Sequence, residues 1–282
     1  MFENAKWILP EKSHGNAPVI YRRIIKPAKS IKSATLNVTA CGVYEAFIDG
    51  VKTGKNVLAP GFTVYPKHHL YQAYDVTKLL ASESELTVSV AAGWYAGGIA
   101  RKHFPFENGF SLIAELDIIY SDGEKESIVT SDDGTWLCGT GKILDADIYN
   151  GEVYDAIITP VLDGKVCEHK LGKSQLTLQE GEDVVEHDVF APIAKIITPA
   201  GETVIDFGCN ITGYPFFEKL HAKEGEVVDL SFAEVLDKDG NFYNANYRKA
   251  ACRFSYTCRD GVQSFKPHHT YYGFRYVRVN SF

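Results

Sequence analysis

The sequence predicts an all-β protein folded as two β-sandwiches. Three observations carry that expectation: apolar residues recur with a period of two, the runs are short, and Gly- and Asp-rich turns separate them. A chain of 282 residues fits two domains, on a prior of roughly 100–200 residues each. With 45% apolar and 23% charged residues, the composition is that of an ordinary globular protein able to bury a core.

Ala34, Leu36, Val38 and Ala40 alternate with Thr35, Asn37 and Thr39, the pattern of a strand buried on one face. The segment 38–54, VTACGVYEAFIDGVKTG, contains Asp49-Gly50. Both central residues of a type I′ turn need φ > 0, and this dipeptide tolerates it, so the segment is expected to fold back as a hairpin. VTKLL at 76–80 offers one or two turns of helix and is the main helical signal. LTVSV at 86–90 alternates, 112–120 is a long apolar strand ending at Ser121-Asp122-Gly123, and 128–130 leads to Trp136.

In the second half, TVIDF at 203–207 runs to Gly208, a strand is expected over 214–220, and another over 227–232 follows the turn KEGE. Asp239-Gly240-Asn241 makes a turn, and a closing strand over 271–279 alternates Tyr272, Phe274 and Tyr276. The polar stretch 164–189 marks the boundary, giving expected domains 1–165 and 166–282.

A formal charge of −7 and a longest basic cluster of Tyr21-Arg22-Arg23 argue against nucleic acid as a partner. The six cysteines (Cys41, Cys138, Cys167, Cys209, Cys252 and Cys258) form no C-x-x-C pair, so neither zinc nor dithiol redox chemistry is signalled. The start MFENAKWILPEKS lacks the layout of a secretory signal, and no window approaches the ~18–20 apolar residues of a membrane span. The expectation is a cytoplasmic protein with reduced thiols and no membrane partner.

No G-x-S-x-G or P-loop pattern is present. His68-His69 and His268-His269 are adjacent pairs whose side chains would leave a strand on opposite faces, so neither pair is expected to close on a metal. Asp237-Lys-Asp-Gly-Asn241 resembles the start of a calcium loop, but its glycine and its twelfth residue, Arg248, are out of place, which favours a hairpin turn. Glu152 and Asp155, in DIYNGEVYDA, could be offered as paired carboxylates for glycoside hydrolysis, although no cleft is legible around them.

Aromatic density in turns is more informative. Trp94 and Tyr95, in GWYAGG, follow an apolar strand, and Phe104-Pro105-Phe106 comes soon after. Glycines at 93, 97 and 98 permit a backbone excursion holding both aromatics at a rim, where their faces could stack on a sugar ring. The competing reading makes Trp94 a plug in the sandwich core.

The ordered motifs VTACGVYEAFIDGVKTG, VLAPGFTVYPKHHLYQAYDVTKLL, AAGWYAG and DADIYNGEVYDA resemble the N-terminal region of bacterial α-L-rhamnosidases, glycoside hydrolase family 78. VIDFGCNITGY, LSFAEVLDKDGNFYNANYRKA and HHTYYGFRYVRV resemble the β-domain that follows in those enzymes. The resemblance implies two β-sandwiches of the jelly-roll or galactose-binding-like kind, the first similar to a carbohydrate-binding module. It also implies that the reacting carboxylates sit on an (α/α)6 barrel after the FRYV segment. No residue here is therefore assigned a catalytic role, and these 282 residues are expected to be inactive alone.

The implied carbohydrate site comprises Trp94, Tyr95, Tyr149, Asn150 and Glu152. Implied partners are a rhamnose-containing glycan or glycoside, the catalytic barrel, and further copies of the chain. Some members bind rhamnose with calcium, but Ala91-Ala92 stand where the family carries an Asp or Asn, so no cofactor or metal site is expected. Cys209 and Phe254-Ser255 also depart from the family pattern, while Asn210 and Gly213 keep it. The alternative is a stand-alone, lectin-like rhamnose-binding module; a purely structural or oligomerising piece is a third reading.

Overall fold

The computed structural model describes residues 1–99, 109–172 and 175–282. Phe104-Pro105-Phe106 lies outside the described residues. The chain is all-β and divides into two units, each interrupted in sequence: 1–141 with 160–186, and 142–159 with 187–282.

The first unit is one sheet of 12 strands. One half runs Leu176–Leu178, His69–Asp75, Ile31–Ala40, Leu112–Tyr120, with Lys125–Val129 also paired to the last. Ile8–Pro10 and Val161–Glu168 lead across to the other half: Trp136–Thr140, Val19–Ile25, Ser84–Ala91, Val43–Ile48 and Val51–Lys52. Both halves contribute to one core. Ala34, Leu36, Val38 and Ala40 are all buried, as their alternation predicts, and meet Leu112, Ala114, Leu116 and Ile118 together with Tyr21, Leu86, Val88 and Val90. The predicted hairpin is present over Val43–Ile48 and Val51–Lys52. Asp49 and Gly50 take φ of 49° and 77°, the pair of positive values that a type I′ turn requires. Asp49 also accepts the Glu85 N–H at 2.7 Å, tying the turn to the next strand.

The second unit is built on a seven-stranded sheet in the order Ile143–Asp147, Gly151–Asp155, Arg253–Thr257, Val227–Ala233, Tyr272–Ser281, Thr203–Gly213, Ala194–Ile197. Gly151–Asp155 pairs in parallel with Arg253–Thr257; the other neighbours are antiparallel. Two short ribbons complete the unit, Phe217–Ala222 with Gly261–Phe265 and Val235–Leu236 with Phe242–Tyr243.

Three expectations are adjusted. A domain cut at 165/166 would fall inside Val161–Glu168, a strand held in the first unit by Trp136–Thr140 and Ile8–Pro10. The 142–159 segment belongs instead with the second unit, because its partner strand lies about a hundred residues later. The 76–80 stretch forms a single hydrogen-bonded turn, not a helix: Leu79 N–H reaches Val76 O at 3.0 Å, and Asp75 takes both the N–H and the hydroxyl of Thr77. The closing strand loses its alternation after Phe274, since the partner strand bulges between Asp206 and Ile211, so Val277 turns inward in place of Tyr276.

Candidate functional site

The aromatic turn of the first unit forms one helical turn, Gly93–Ala96. Gly93 has φ of +51°, and a Cβ there would stand 2.6 Å from the Val43 nitrogen, so only glycine admits this turn. The turn sends its two aromatics to different environments. Tyr95 is buried, its ring 5.0 Å from Tyr65 and 5.7 Å from His69. Trp94 is half-buried and meets Phe62 edge-to-face, with centroids 6.5 Å apart and planes at 77°. Phe62 itself is 61% exposed. Trp94 is therefore a rim residue that also packs against the cluster beneath it, while Tyr95 is core.

The floor beneath this rim is uncharged. Burial, with His68 nearby as a lesser cause, pushes the His69 imidazole down to about 4, and burial pushes the Cys41 thiol up to about 12. Burial also raises the Tyr65 and Tyr95 phenols. These groups give Trp94 and Phe62 a neutral, aromatic surrounding.

Tyr149, Asn150 and Glu152 lie in the second unit, apart in the chain's organisation from Trp94 and Tyr95. Asp147 Oδ1 accepts the N–H groups of Tyr149 (2.7 Å) and Asn150 (3.0 Å), which fixes the turn between Ile143–Asp147 and Gly151–Asp155. Asn150 Oδ1 accepts the Ala251 N–H at 3.2 Å, and its carbonyl accepts the Arg253 N–H at 3.0 Å. Both Tyr149 and Asn150 are half-buried. Glu152 differs from the expectation. It is 0% exposed, and its carboxylate accepts the backbone N–H groups of His268 (3.0 Å) and His269 (2.9 Å). A carboxylate enclosed in this way holds the His268–Thr270 segment to the sheet and offers no surface to a sugar or a scissile bond.

The remaining candidates resolve into structure as well. Asp155 accepts the Ile157 N–H at 2.9 Å. Asp237 Oδ1 accepts the N–H groups of Asp239 and Asn241, closing the hairpin turn that the sequence favoured over a calcium loop. Among the described residues no group of three His, Cys, Asp or Glu is assembled to hold a metal ion. Sequence reasoning missed Phe62, whose signal was the preceding Pro60-Gly61 turn, and missed the buried acids Asp206 and Asp229. These pair with Arg275 (2.8 Å) and Arg253, and nothing local in the sequence marks them.

The described residues form an all-β chain of two units, with the Trp94–Phe62 aromatic pair on the first. Two family models match it in order: the alpha-L-rhamnosidase N-terminal domain over residues 29–173, and the bacterial alpha-L-rhamnosidase concanavalin-like domain over 196–282. The chain belongs to the bacterial α-L-rhamnosidase family. It is 34% identical over 273 residues to an α-L-rhamnosidase of Streptomyces avermitilis, covering 91% of this chain and 26% of that protein. The crystal structure of native α-L-rhamnosidase from Aspergillus terreus superposes with a TM-score of 0.89 at 29% identity, over 100% of this chain and 34% of that one. The S. avermitilis enzyme complexed with L-rhamnose gives 0.81 at 32% identity, over 93% and 27%. The chain thus spans about a quarter to a third of the length of the relatives it matches.

Proposed function

We propose that these residues form the non-catalytic β-sandwich portion of an α-L-rhamnosidase, an enzyme that hydrolyses terminal α-L-rhamnosides. In this reading they support a catalytic barrel that carries the reacting carboxylates, and they present a carbohydrate-binding rim. The observation that carries the reading is the ordered match of both β modules over a chain spanning only 26% to 34% of its relatives. The enclosure of Glu152 supports the non-catalytic role, since the acid nearest to a hydrolytic candidate is spent on backbone N–H groups. The rim is Trp94 with Phe62, joined by Tyr95 only as a support from beneath. Tyr149 and Asn150 remain surface candidates on the second unit. The similarity to an enzyme crystallised with L-rhamnose supports rhamnose as the sugar. Six unpaired cysteines fit a reducing, cytoplasmic setting.

The test uses the 282-residue chain. An aryl α-L-rhamnoside should release no aglycone, and calorimetry with L-rhamnose should show millimolar binding that Trp94→Ala removes. Turnover abolished by Glu152→Gln or Asp155→Asn would overturn the non-catalytic role. A flat titration of the folded protein would remove the sugar-binding rim.

A further inference from the structure

A cleft of about 380 Å³ opens on the first unit, lined among others by Arg22, Arg23, Lys26, Glu126, Ile128 and Leu137. Three of these are cationic and one anionic, on a chain whose formal charge is −7. Most of the charges are already matched. Arg22 Nε lies 2.5 Å from Glu85, and Lys26 Nζ lies 3.0 Å from Glu83. Glu126 accepts the Tyr120 hydroxyl, and the nearby Asp133 accepts the N–H and hydroxyl of Thr135.

Arg23 is the exception. Its Nε is shut away from solvent and, among the described residues, has no hydrogen-bond partner. On Val19–Ile25 it shares the inward face with Tyr21 and Ile25, both fully buried, and it stands opposite Trp136 in the register. Burial lowers its basicity, with only Asp133 opposing the effect. A buried Nε–H with no acceptor is destabilising, so the geometry of this strand holds the Arg23 guanidinium at the cleft at a cost in stability.

We propose that this cleft is an oxyanion-binding site, in which the terminal guanidinium nitrogens of Arg23 receive the carboxylate or sulfate group of a small acidic sugar. The planar guanidinium fork matches either group. Ile128 and Leu137 give an apolar wall for the carbon face of a ring, and the volume falls in the range of sites that enclose small ligands. The site stands apart from the Trp94 rim, because a neutral sugar has no group for Arg23 to receive.

Calorimetry on the 282-residue protein at low ionic strength tests it with four probes: D-glucuronate, a glucose sulfate ester, inorganic sulfate and D-glucose. The anionic sugars should bind, with glucose silent and with added salt weakening the signal. Tighter binding of glucuronate or of the sulfate ester identifies which oxyanion the cleft prefers. Arg23→Met should weaken binding by roughly tenfold or more and should also raise the melting temperature of the ligand-free protein, because it removes an unpaired buried donor. A purely structural arginine would do the reverse. Silence from every anion, or a destabilised Arg23→Met protein with undiminished affinity, overturns the proposal. Should that variant fail to fold, the Arg23→Lys protein serves: undiminished affinity there overturns the planar-fork contact, and a several-fold loss supports it.

Discussion

In the first unit, alternate residues of Ile31–Ala40, Leu112–Tyr120 and Ser84–Ala91 fill one aliphatic core between the halves of a single sheet. Beside that core the first unit has a smaller aromatic cluster around Tyr65 and Tyr95 and one enclosed acid, Glu45, paired with Lys52 at 2.6 Å. The second unit relies on such features more heavily. Its core stacks Phe232 on Tyr272 (3.8 Å between centroids) and Tyr154 on Tyr256 (5.2 Å). It also encloses carboxylates: Asp206 against Arg275, Asp229 against Arg253, and Glu152 against two backbone N–H groups. An aliphatic face is specified strand by strand, because each strand needs only its own period of two. A buried carboxylate is specified by a partner that is distant in sequence, and it turns into a liability if that partner is lost.

The largest expected effect therefore belongs to the second unit. Glu152→Ala deprives the buried His269 N–H and the half-buried His268 N–H of this acceptor and leaves a cavity where the enclosed side chain stood. At roughly 1–3 kcal/mol for each unsatisfied donor the loss is about 4 kcal/mol. Glu152→Gln keeps an acceptor and should recover much of it. Urea unfolding followed by hydrogen exchange of the second unit checks this. An unchanged exchange pattern for Glu152→Ala would erase the contrast between the units.

Leu36→Ala is the matching cut in the first unit. Leu36 is fully buried in the aliphatic core, and truncations of this kind cost about 3 kcal/mol, more where the cavity stays open. The readout separates the units without labels, since all three tryptophans, Trp7, Trp94 and Trp136, belong to the first. Indole emission should shift its urea midpoint for Leu36→Ala and hold it for Glu152→Ala. Equal shifts for both would mean that the units unfold as one.

The same contrast explains what could be read in advance. Ala34, Leu36, Val38 and Ala40 announced their face, and Asp49-Gly50 announced its turn, because both signals are local. Gly151–Asp155 gave no sign that its neighbour would be Arg253–Thr257. Asp206 and Arg275 are 69 residues apart, and each reads as an ordinary surface charge. The glycines around Trp94 left a rim and a core position both open, and the half-buried ring packs on the cluster beneath it. Glu152 was misjudged because a carboxylate among tyrosines looks the same whether it faces solvent or the backbone of residues 268–269. Chemistry visible in one stretch of chain was legible; chemistry completed by a second stretch was not.

Acid should separate the units too, and more mildly. His69 has its folded pKa pushed from 6.5 to about 4 by burial. Between those values the unfolded chain takes up a proton that the folded one refuses, so the first unit loses stability as pH falls from about 7 and levels off below about 4. The full loss is at most about 3 kcal/mol, about 2 of it by pH 5. His169, also lowered by burial, adds to the same slope, so His69→Gln should flatten it without abolishing it. In the second unit the sign is the same but the window lies lower, because carboxylates titrate there. Hydrogen bonds and charge from Arg275 and Arg253 hold Asp206 and Asp229 below the usual carboxylate value, so the stability they confer is present at pH 5 and is lost only as pH falls below about 4. Between pH 7 and 5, then, the urea midpoint seen by tryptophan emission should fall while hydrogen exchange in the second unit holds steady. Parallel decline in both would place the acid-sensitive group outside His69 and His169.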